Sequence, residues 1–145
     1  MDIYEEARFE CNGYECRVLF MSMGHRCGYI KIPKGHPLCM DDYDYINNYV
    51  KCHGGLTYAA NYLNGEECSD GVWVGFDCGH SYDLIDLEAL EKYYPEQINK
   101  YSREWWEAYA SRWSHSQTIK TLDFCKDQLK SLAEQLETIK EERQL

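Results

Sequence analysis

Residues 15–32, with the sequence ECRVLFMSMGHRCGYIKI, contain two runs of β-forming residues that flank a glycine turn. The first run extends from Glu15 to Met21 and the second from His25 to Ile32. A short link with glycine between two such runs is typical of a β-hairpin. The stretch therefore predicts two neighbouring antiparallel strands, and it places a sheet in the N-terminal half of the chain.

Two further strands are predicted after this hairpin. One covers Leu56 to Tyr62, and the other covers Val72 to Cys78 with the sequence VWVGFDC. Because alternate residues of a strand face opposite sides, we expect Phe76 on the core face and Trp73 on the other face, lining a pocket. Gly75 in the same strand indicates a bulge or the close approach of another group.

The second half of the chain has a charged, helical pattern. A short helix is predicted from Leu84 to Tyr94, and Ser102 is suited to cap the start of another. A long last helix is predicted within Thr118 to Glu142. Its apolar residues are spaced alternately three and four apart, at Leu122, Cys125, Leu129, Leu132, Leu136 and Ile139. This narrow apolar seam is typical of a helix that packs on its own sheet or of one that pairs with a copy of itself.

Together these patterns predict a single α+β domain over residues 1–145. Residues 1–83 would form mainly strands and glycine-rich loops, and residues 84–145 mainly helices. The expected architecture is a small antiparallel sheet packed with C-terminal helices, the last of which is long. A homo-oligomer is also expected, and a dimer through the last helix is one way to form it.

Charge and composition limit the classes of partner. The 145 residues carry a formal net charge of -10, and they include 13 tyrosines and 4 tryptophans. An acidic chain has no excess of basic groups to neutralise phosphates, which argues against direct nucleic-acid binding. No apolar run approaches the ~20 residues that span a bilayer, and the acidic start is unlike a signal peptide. We therefore expect a cytoplasmic protein without membrane contact, with some aromatic residues lining a surface or pocket.

The sequence contains eight cysteines. In a reducing cytoplasm we interpret them mainly as small buried apolar residues rather than as a disulfide framework. A structural zinc site is the alternative, but no CxxC pair supplies the usual ligand spacing. No cofactor is predicted.

The strongest candidates for chemistry are His53, Asp77, His80 and Asp83. Asp77 lies at the end of an apolar strand, and His80 and Asp83 follow it at intervals of three residues, in a region where loops often carry binding residues. Imidazole and carboxylate groups could bind a metal ion or transfer protons. The ordinary alternative is that these side chains cap turns without touching a substrate. A Cys78 nucleophile beside His80 is a weaker option, because intracellular cysteines are more often inert.

Binding without catalysis is the other interpretation, and it involves three kinds of group. Aromatic rings would stack on a nucleobase, cations and glycine N–H groups would meet a phosphate, and polar side chains would donate or accept hydrogen bonds. The stacking residues are Tyr29, Tyr58 and Trp73. The phosphate-binding residues are Arg26, Lys34, Gly54 and Gly55. The hydrogen-bonding residues are His36, His53, Thr57, Asp77, His80 and Asp83.

Several of these segments also resemble a known set of proteins. The pattern CGY-x-x-x-P-x-GHP, HGGLT, GFDC-x-H-x-x-D and LA-x-QL is similar to that of a family of small phage-encoded proteins. In this chain the pattern occupies Cys27 to Tyr29, Pro33 to Pro37, His53 to Thr57, Gly75 to Asp83 and Leu132 to Leu136. The ordered match extends over roughly residues 16 to 136 and includes most of the candidate site residues.

The resemblance implies a phage accessory protein that acts in the host bacterial cytoplasm. Such proteins often counter host defence, and one class sequesters nucleotide-derived immune signals without cleaving them. We therefore expect a sponge of that class rather than an enzyme. One alternative is a metal-dependent hydrolase with His53, His80 and either Asp77 or Asp83 around the metal. The other is an acidic protein-binding inhibitor of a host defence, comparable to anti-CRISPR proteins, that presents Asp41 to Tyr45 as a nucleic-acid mimic.

Overall fold

A five-stranded sheet forms the framework of the N-terminal half. The computed structural model describes residues 3–80, 83–111 and 118–143. The strands are β1 (Tyr4–Cys11), β2 (Tyr14–Phe20), β3 (Arg26–Pro33), β4 (Tyr58–Ala60), β5 (Tyr62–Leu63), β6 (Glu66–Glu67), β7 (Gly71–Asp77), β8 (Asp83–Leu84) and β9 (Thr118–Ile119). The helices are α1 (Tyr43–Ile46), α2 (Leu87–Tyr93), α3 (Pro95–Ile98), α4 (Arg103–Ser111) and α5 (Leu122–Glu142). The main sheet has the order β1-β2-β3-β7-β4 with antiparallel neighbours.

The predicted α+β class is confirmed, and so is the hairpin predicted over residues 15–32. β2 and β3 pair directly, with Val18 opposite Gly28. The strand predicted from Val72 to Cys78 is β7, which lies beside β3 in the centre of the sheet. The strand predicted from Leu56 to Tyr62 is shorter than expected, because β4 covers only Tyr58–Ala60 before the chain turns into the small β5-β6 pair.

The edge strand β1 has no counterpart among the predicted strands. It pairs with β2 across a tight turn in which Asn12 and Gly13 have φ values of 51° and 84°. A type I′ turn, one of the two turns that most often close two-residue hairpins, requires positive φ at both central residues. The strand alternates polar and apolar residues from Glu6 to Cys11, and Ala7, Phe9 and Cys11 pack against the core. Its charged side chains resist pairing of this edge with other chains.

The principal core lies between one face of the sheet and α5. Cys125, Leu129, Leu132 and Leu136 of the predicted seam are at most 1% exposed and pack in the same cluster as the inward residues of β2, β3 and β7. The seam therefore packs on the sheet of its own chain, which is the first of the two interpretations of its spacing. The oligomeric state of the protein stays a prediction.

A second, smaller core covers the opposite face of the sheet. Leu19, Cys27, Tyr29, Leu63 and Trp73 pack there. This agrees with the alternation predicted for β7, since Phe76 and Trp73 lie on opposite faces. Trp73 is only 2% exposed, so it contributes to this core.

Helices α2 and α4 enclose a third cluster around Phe20, Leu90 and Trp106. Ser102 caps α4 as predicted, because its hydroxyl accepts a hydrogen bond from the Trp105 backbone N–H at 3.1 Å. None of the helices in the described part of the chain has the length and apolar composition that crossing a membrane requires. All eight cysteines are free thiols, and four of them are buried.

Gly75 allows the close approach that its position in β7 predicts. A Cβ atom there would lie 2.4 Å from Tyr29 Cδ1 and 2.8 Å from the Gly28 carbonyl oxygen. We expect Gly75→Ala to lower the free energy of unfolding by roughly 1–3 kcal/mol, as overpacking does in other cores. Urea denaturation would measure the loss. In a Tyr29→Ala background the same substitution should cost less, and an equal cost in both backgrounds would contradict the assigned contact.

Candidate functional site

Asp83 is the centre of a polar cluster beyond the end of β7. Its side chain is 0% exposed although it is a carboxylate. His53 Nε2 lies 2.9 and 3.0 Å from the two carboxylate oxygens, and His80 Nδ1 lies 3.0 Å from Oδ2. The Lys120 ammonium lies 3.0 Å from Oδ1. A buried carboxylate requires such partners, because burying an unpaired charge is costly.

Three chain segments that are distant in sequence bring these groups together. Asp83 begins β8, which pairs in parallel with β9, and Lys120 follows β9 directly. The Lys120 ammonium is held by the Thr118 carbonyl and hydroxyl at 3.1 and 2.6 Å. His53 is anchored to α5, since its backbone N–H donates to Gln128 Oε1 at 2.8 Å and its ring lies edge-on to Phe124.

The partners of Asp83 decide its ionisation. Burial by itself would raise the pKa of Asp83, but the hydrogen bonds from His53, His80 and Lys120 outweigh burial and lower that pKa below its ordinary value. Asp83 is therefore a carboxylate at neutral pH. It accepts hydrogen bonds from both imidazoles, and its bond to His80 Nδ1 directs the other nitrogen of that ring towards Asp77.

Asp77 extends the cluster onto the sheet. Its Oδ1 accepts a hydrogen bond from the Gly79 backbone N–H at 3.0 Å and lies 3.8 Å from His80 Nε2. Its Oδ2 accepts a hydrogen bond from the Thr57 hydroxyl at 3.2 Å. The His80 ring thus lies between two carboxylates, one buried and one partly exposed. Thr57 and Asp77 form the solvent-facing side of the cluster.

Two members of this neighbourhood were not among the predicted site residues. Lys120 is one. His25 is the other, since a Cβ atom at Gly79 would lie 3.2 Å from the His25 ring and 3.4 Å from Asp77 Oδ1. Burial lowers the pKa of His25, partly opposed by the charges of Asp77 and Asp83, so this ring is neutral at pH 7. His25 lies beside a glycine in the hairpin link, a signal that could have identified it.

Predicted aromatic residues form a separate groove on the sheet. Tyr29 and Tyr58 are both opposite Gly75 of β7, and their rings meet edge to face at 5.4 Å between centroids. The Tyr58 hydroxyl donates to the Tyr62 carbonyl. The groove has a volume of about 380 Å³ and is lined by Ile3, Leu19, Tyr29, Tyr58, Tyr62, Leu63, Asn64 and Gly65.

The remaining predicted residues have other surroundings. The Arg26 side chain is 6% exposed and forms ion pairs with Glu6 and Asp86. Burial alone would lower the pKa of Arg26, and its hydrogen bonds to these two carboxylates raise it instead. The group that was predicted to meet a phosphate is therefore already neutralised inside the protein.

His36, Trp73, Lys34 and the glycine pair are also outside the cluster. His36 Nδ1 accepts a hydrogen bond from the Leu38 N–H at 3.0 Å, and Nε2 lies 2.8 Å from the Leu136 carbonyl oxygen, which joins the turn after β3 to α5. Trp73 is covered by two cations, with the Arg17 guanidinium 4.8 Å from the ring centroid. Lys34 is exposed and follows the C-terminal end of β3, whereas the cluster lies near the N-terminal end of that strand. Gly54 and Gly55 adopt positive φ in the turn that follows His53.

The structure thus brings His53, Thr57, Asp77, His80 and Asp83 together and places Tyr29 and Tyr58 on the adjoining sheet face. Comparisons of the chain with protein-family models, with curated proteins and with solved structures found no match. The resemblance to small phage-encoded proteins therefore stays a prediction.

Proposed function

We propose that the protein binds a small nucleotide-derived ligand and sequesters it without cleaving it. In the phage setting that the sequence resemblance implies, the ligand is an immune signal of the host bacterium. The observation that carries the proposal is the continuity between two surfaces. The groove and the cluster are separate, but Asp77 of the cluster lies two residues along β7 from Gly75, which Tyr29 and Tyr58 of the groove flank, so we propose that one ligand contacts both.

The register of β7 supports this continuity. Tyr29 and Tyr58 flank Gly75, and Asp77 is two residues further along the same face. Two residues of a strand span about 7 Å, a distance that one nucleotide covers between its base and its polar groups. A planar base in the groove would therefore place its sugar or phosphate near Thr57 and Asp77.

The polar groups suit two parts of such a ligand. A carboxylate accepts hydrogen bonds from ribose hydroxyls, as acidic residues do in dinucleotide-binding proteins, and Asp77 is the partly exposed carboxylate of the site. His80 Nε2 lies beside Asp77, and when the ring carries a proton on both nitrogens this N–H can donate to a phosphate or carbonyl oxygen of the ligand while Nδ1 donates to Asp83. Asp83 is buried, so its role is to hold the two imidazoles in place.

A hydrolase is the second candidate, and one observation favours it. His53, His80 and Asp83 have ligand atoms within 4.8 Å of one another, an arrangement that could hold a metal ion. A bound metal can activate water for attack on a phosphate ester. Sequestration and hydrolysis differ in the fate of the ligand, which makes them easy to separate.

A release assay tests the proposal. The protein is incubated with cyclic dinucleotides, cyclic trinucleotides and cyclic signals derived from ADP-ribose, and is then removed by filtration and heated. We expect one compound to leave the filtrate and to return unchanged from the denatured protein. A new product would indicate the hydrolase instead. If every compound stays in the filtrate, the proposal fails for these signals.

Substitution of a residue that lines the groove tests whether the compound binds there. Tyr62 lines the groove and is 47% exposed, whereas Tyr101 lies at the α3–α4 junction and is 50% exposed. We expect Tyr62→Ala to weaken retention of the compound about tenfold, since one base–aromatic contact is worth roughly 1–3 kcal/mol. The matched control Tyr101→Ala should leave retention unchanged. Equal effects of the two substitutions would exclude the groove.

A further inference from the structure

The cluster around Asp83 contains the donor atoms of a metal site. His53 Nε2, His80 Nδ1 and a carboxylate oxygen of Asp83 lie within 4.8 Å of one another. Two imidazoles and one carboxylate form a common ligand set for catalytic zinc and for non-haem iron. Such sites have three protein ligands and keep further positions for water or a substrate.

Asp83 distributes its partners between its two oxygens in a way that suits a metal. Oδ2 lies 3.0 Å from both His53 Nε2 and His80 Nδ1. Lys120 contacts Oδ1, which also lies 2.9 Å from His53 Nε2, and Oδ2 accepts a hydrogen bond from the His80 backbone N–H at 3.2 Å. With metal–nitrogen and metal–oxygen bonds of about 2.1 Å, separations of 3.0 Å correspond to ligand–metal–ligand angles of about 90°, so the rings must move a few tenths of an ångström away from Oδ2 to give the tetrahedral geometry of Zn²⁺.

Neighbouring residues hold the proposed metal-binding side chains in place. Gln128 fixes the backbone of His53, and Phe124 fixes its ring. Thr118 holds Lys120, which in turn orients the carboxylate through Oδ1. Contacts of this kind orient metal ligands and raise affinity in known sites. The His80 side chain is 25% exposed, compared with 11% for His53, so an ion can enter beside His80.

We infer that His53, His80 and Asp83 bind one divalent transition-metal ion, such as Zn²⁺, through Nε2, Nδ1 and Oδ2 respectively. On binding, each ring changes tautomer: the proton that the ligating nitrogen now donates to Asp83 leaves to solvent, and the other ring nitrogen takes up a proton, so a neutral imidazole offers its lone pair to the metal. Asp77 is not a ligand, because it approaches His80 at Nε2, on the far side of the ring. The inference does not depend on the nucleotide-derived ligand, since metal binding is measured directly.

Equilibrium dialysis of the full chain against Zn²⁺, followed by metal analysis, tests the site. We expect one equivalent of Zn²⁺ per chain. His80→Gln and Asp83→Asn should each weaken binding by at least about 100-fold, since even the loss of an outer-shell contact costs 10–100-fold. Asp41, an exposed carboxylate outside the cluster, provides the control, and Asp41→Asn should bind Zn²⁺ as tightly as the unmodified chain. If His80→Gln binds Zn²⁺ as tightly as the unmodified chain, the inference is overturned.

Two further measurements distinguish loss of the proposed ligands from unfolding of the chain and from zinc binding by cysteines. Asp83→Asn removes a buried charge and could unfold the chain, so circular dichroism must accompany it, and the more exposed His80 provides the independent variant. Cysteines also bind Zn²⁺, and Co²⁺ distinguishes the two kinds of ligand. A Co²⁺ complex with nitrogen and oxygen ligands lacks the intense thiolate charge-transfer absorption in the near ultraviolet. A strong thiolate band would assign the metal to cysteines and contradict the proposed site.

Discussion

Arg26→Ala is expected to lower the free energy of unfolding by about 3–5 kcal/mol, the usual cost of removing one partner from a buried ion pair. Arg26 Nε and Nη2 donate to both oxygens of Glu6, at 2.6 and 3.0 Å. Its Nη1 donates to Asp86 and to the Lys120 carbonyl. The side chains of Arg26 and Glu6 are 6% and 5% exposed, so alanine would leave a buried carboxylate without its cation.

Arg26 also connects three parts of the fold, which adds to the expected loss of stability. Glu6 belongs to the edge strand β1, and Asp86 caps α2 through the Ala89 N–H. One guanidinium therefore joins the sheet, the helical half and the segment that carries Lys120. Urea denaturation at neutral pH would measure the loss.

An exposed arginine provides the control for this measurement. Arg8 also pairs with a carboxylate of β1, Glu5, but the Arg8 side chain is 58% exposed. Ion pairs in solvent contribute little to stability, so Arg8→Ala should leave the denaturation midpoint nearly unchanged. Similar losses for Arg26→Ala and Arg8→Ala would show that the buried network is less important than its geometry indicates.

The fold was most predictable where its signals are local. The hairpin of β2 and β3 depends on a glycine link between two strand-forming runs, and α5 depends on an apolar spacing of three and four. Both patterns act within a few residues, so the sequence contains them directly. β1 was missed although its signal is equally local, since residues 6–11 alternate between polar and apolar side chains and lead directly into the Asn12-Gly13 turn.

The candidate site was predictable in part for the same reason. Asp77, His80 and Asp83 are close in sequence, and the glycine turn after His53 marked the segment that joins them. Lys120 reaches Asp83 only because β8 and β9 pair in parallel, a contact that no short window of sequence contains. Arg26 is the opposite case, since an arginine beside a glycine-rich segment looks like a phosphate ligand until Glu6 and Asp86 are placed around it.

Asp83→Ala is expected to have an effect of similar size, about 3–5 kcal/mol at pH 7, and to disorder the candidate site. Alanine would leave the Lys120 ammonium, which is 13% exposed, without its carboxylate. Both imidazoles would lose their shared acceptor. Asp77→Ala is the control within the same segment. The Asp77 side chain is 32% exposed, so we expect a clearly smaller loss in urea denaturation.

The pH dependence distinguishes loss of the Asp83 charge from loss of packing. The folded state lowers the pKa of Asp83, so the unfolded chain takes up a proton at higher pH than the folded chain does. The stabilisation is therefore complete above the unfolded pKa of about 3.9, and it disappears as the pH falls through the lower, folded pKa. The stability gap between the unmodified chain and Asp83→Ala should accordingly narrow as the pH falls below about 4. A gap that stays constant down to pH 3 would mean that Asp83 stabilises the fold by packing alone, and that its charge does not hold the cluster together.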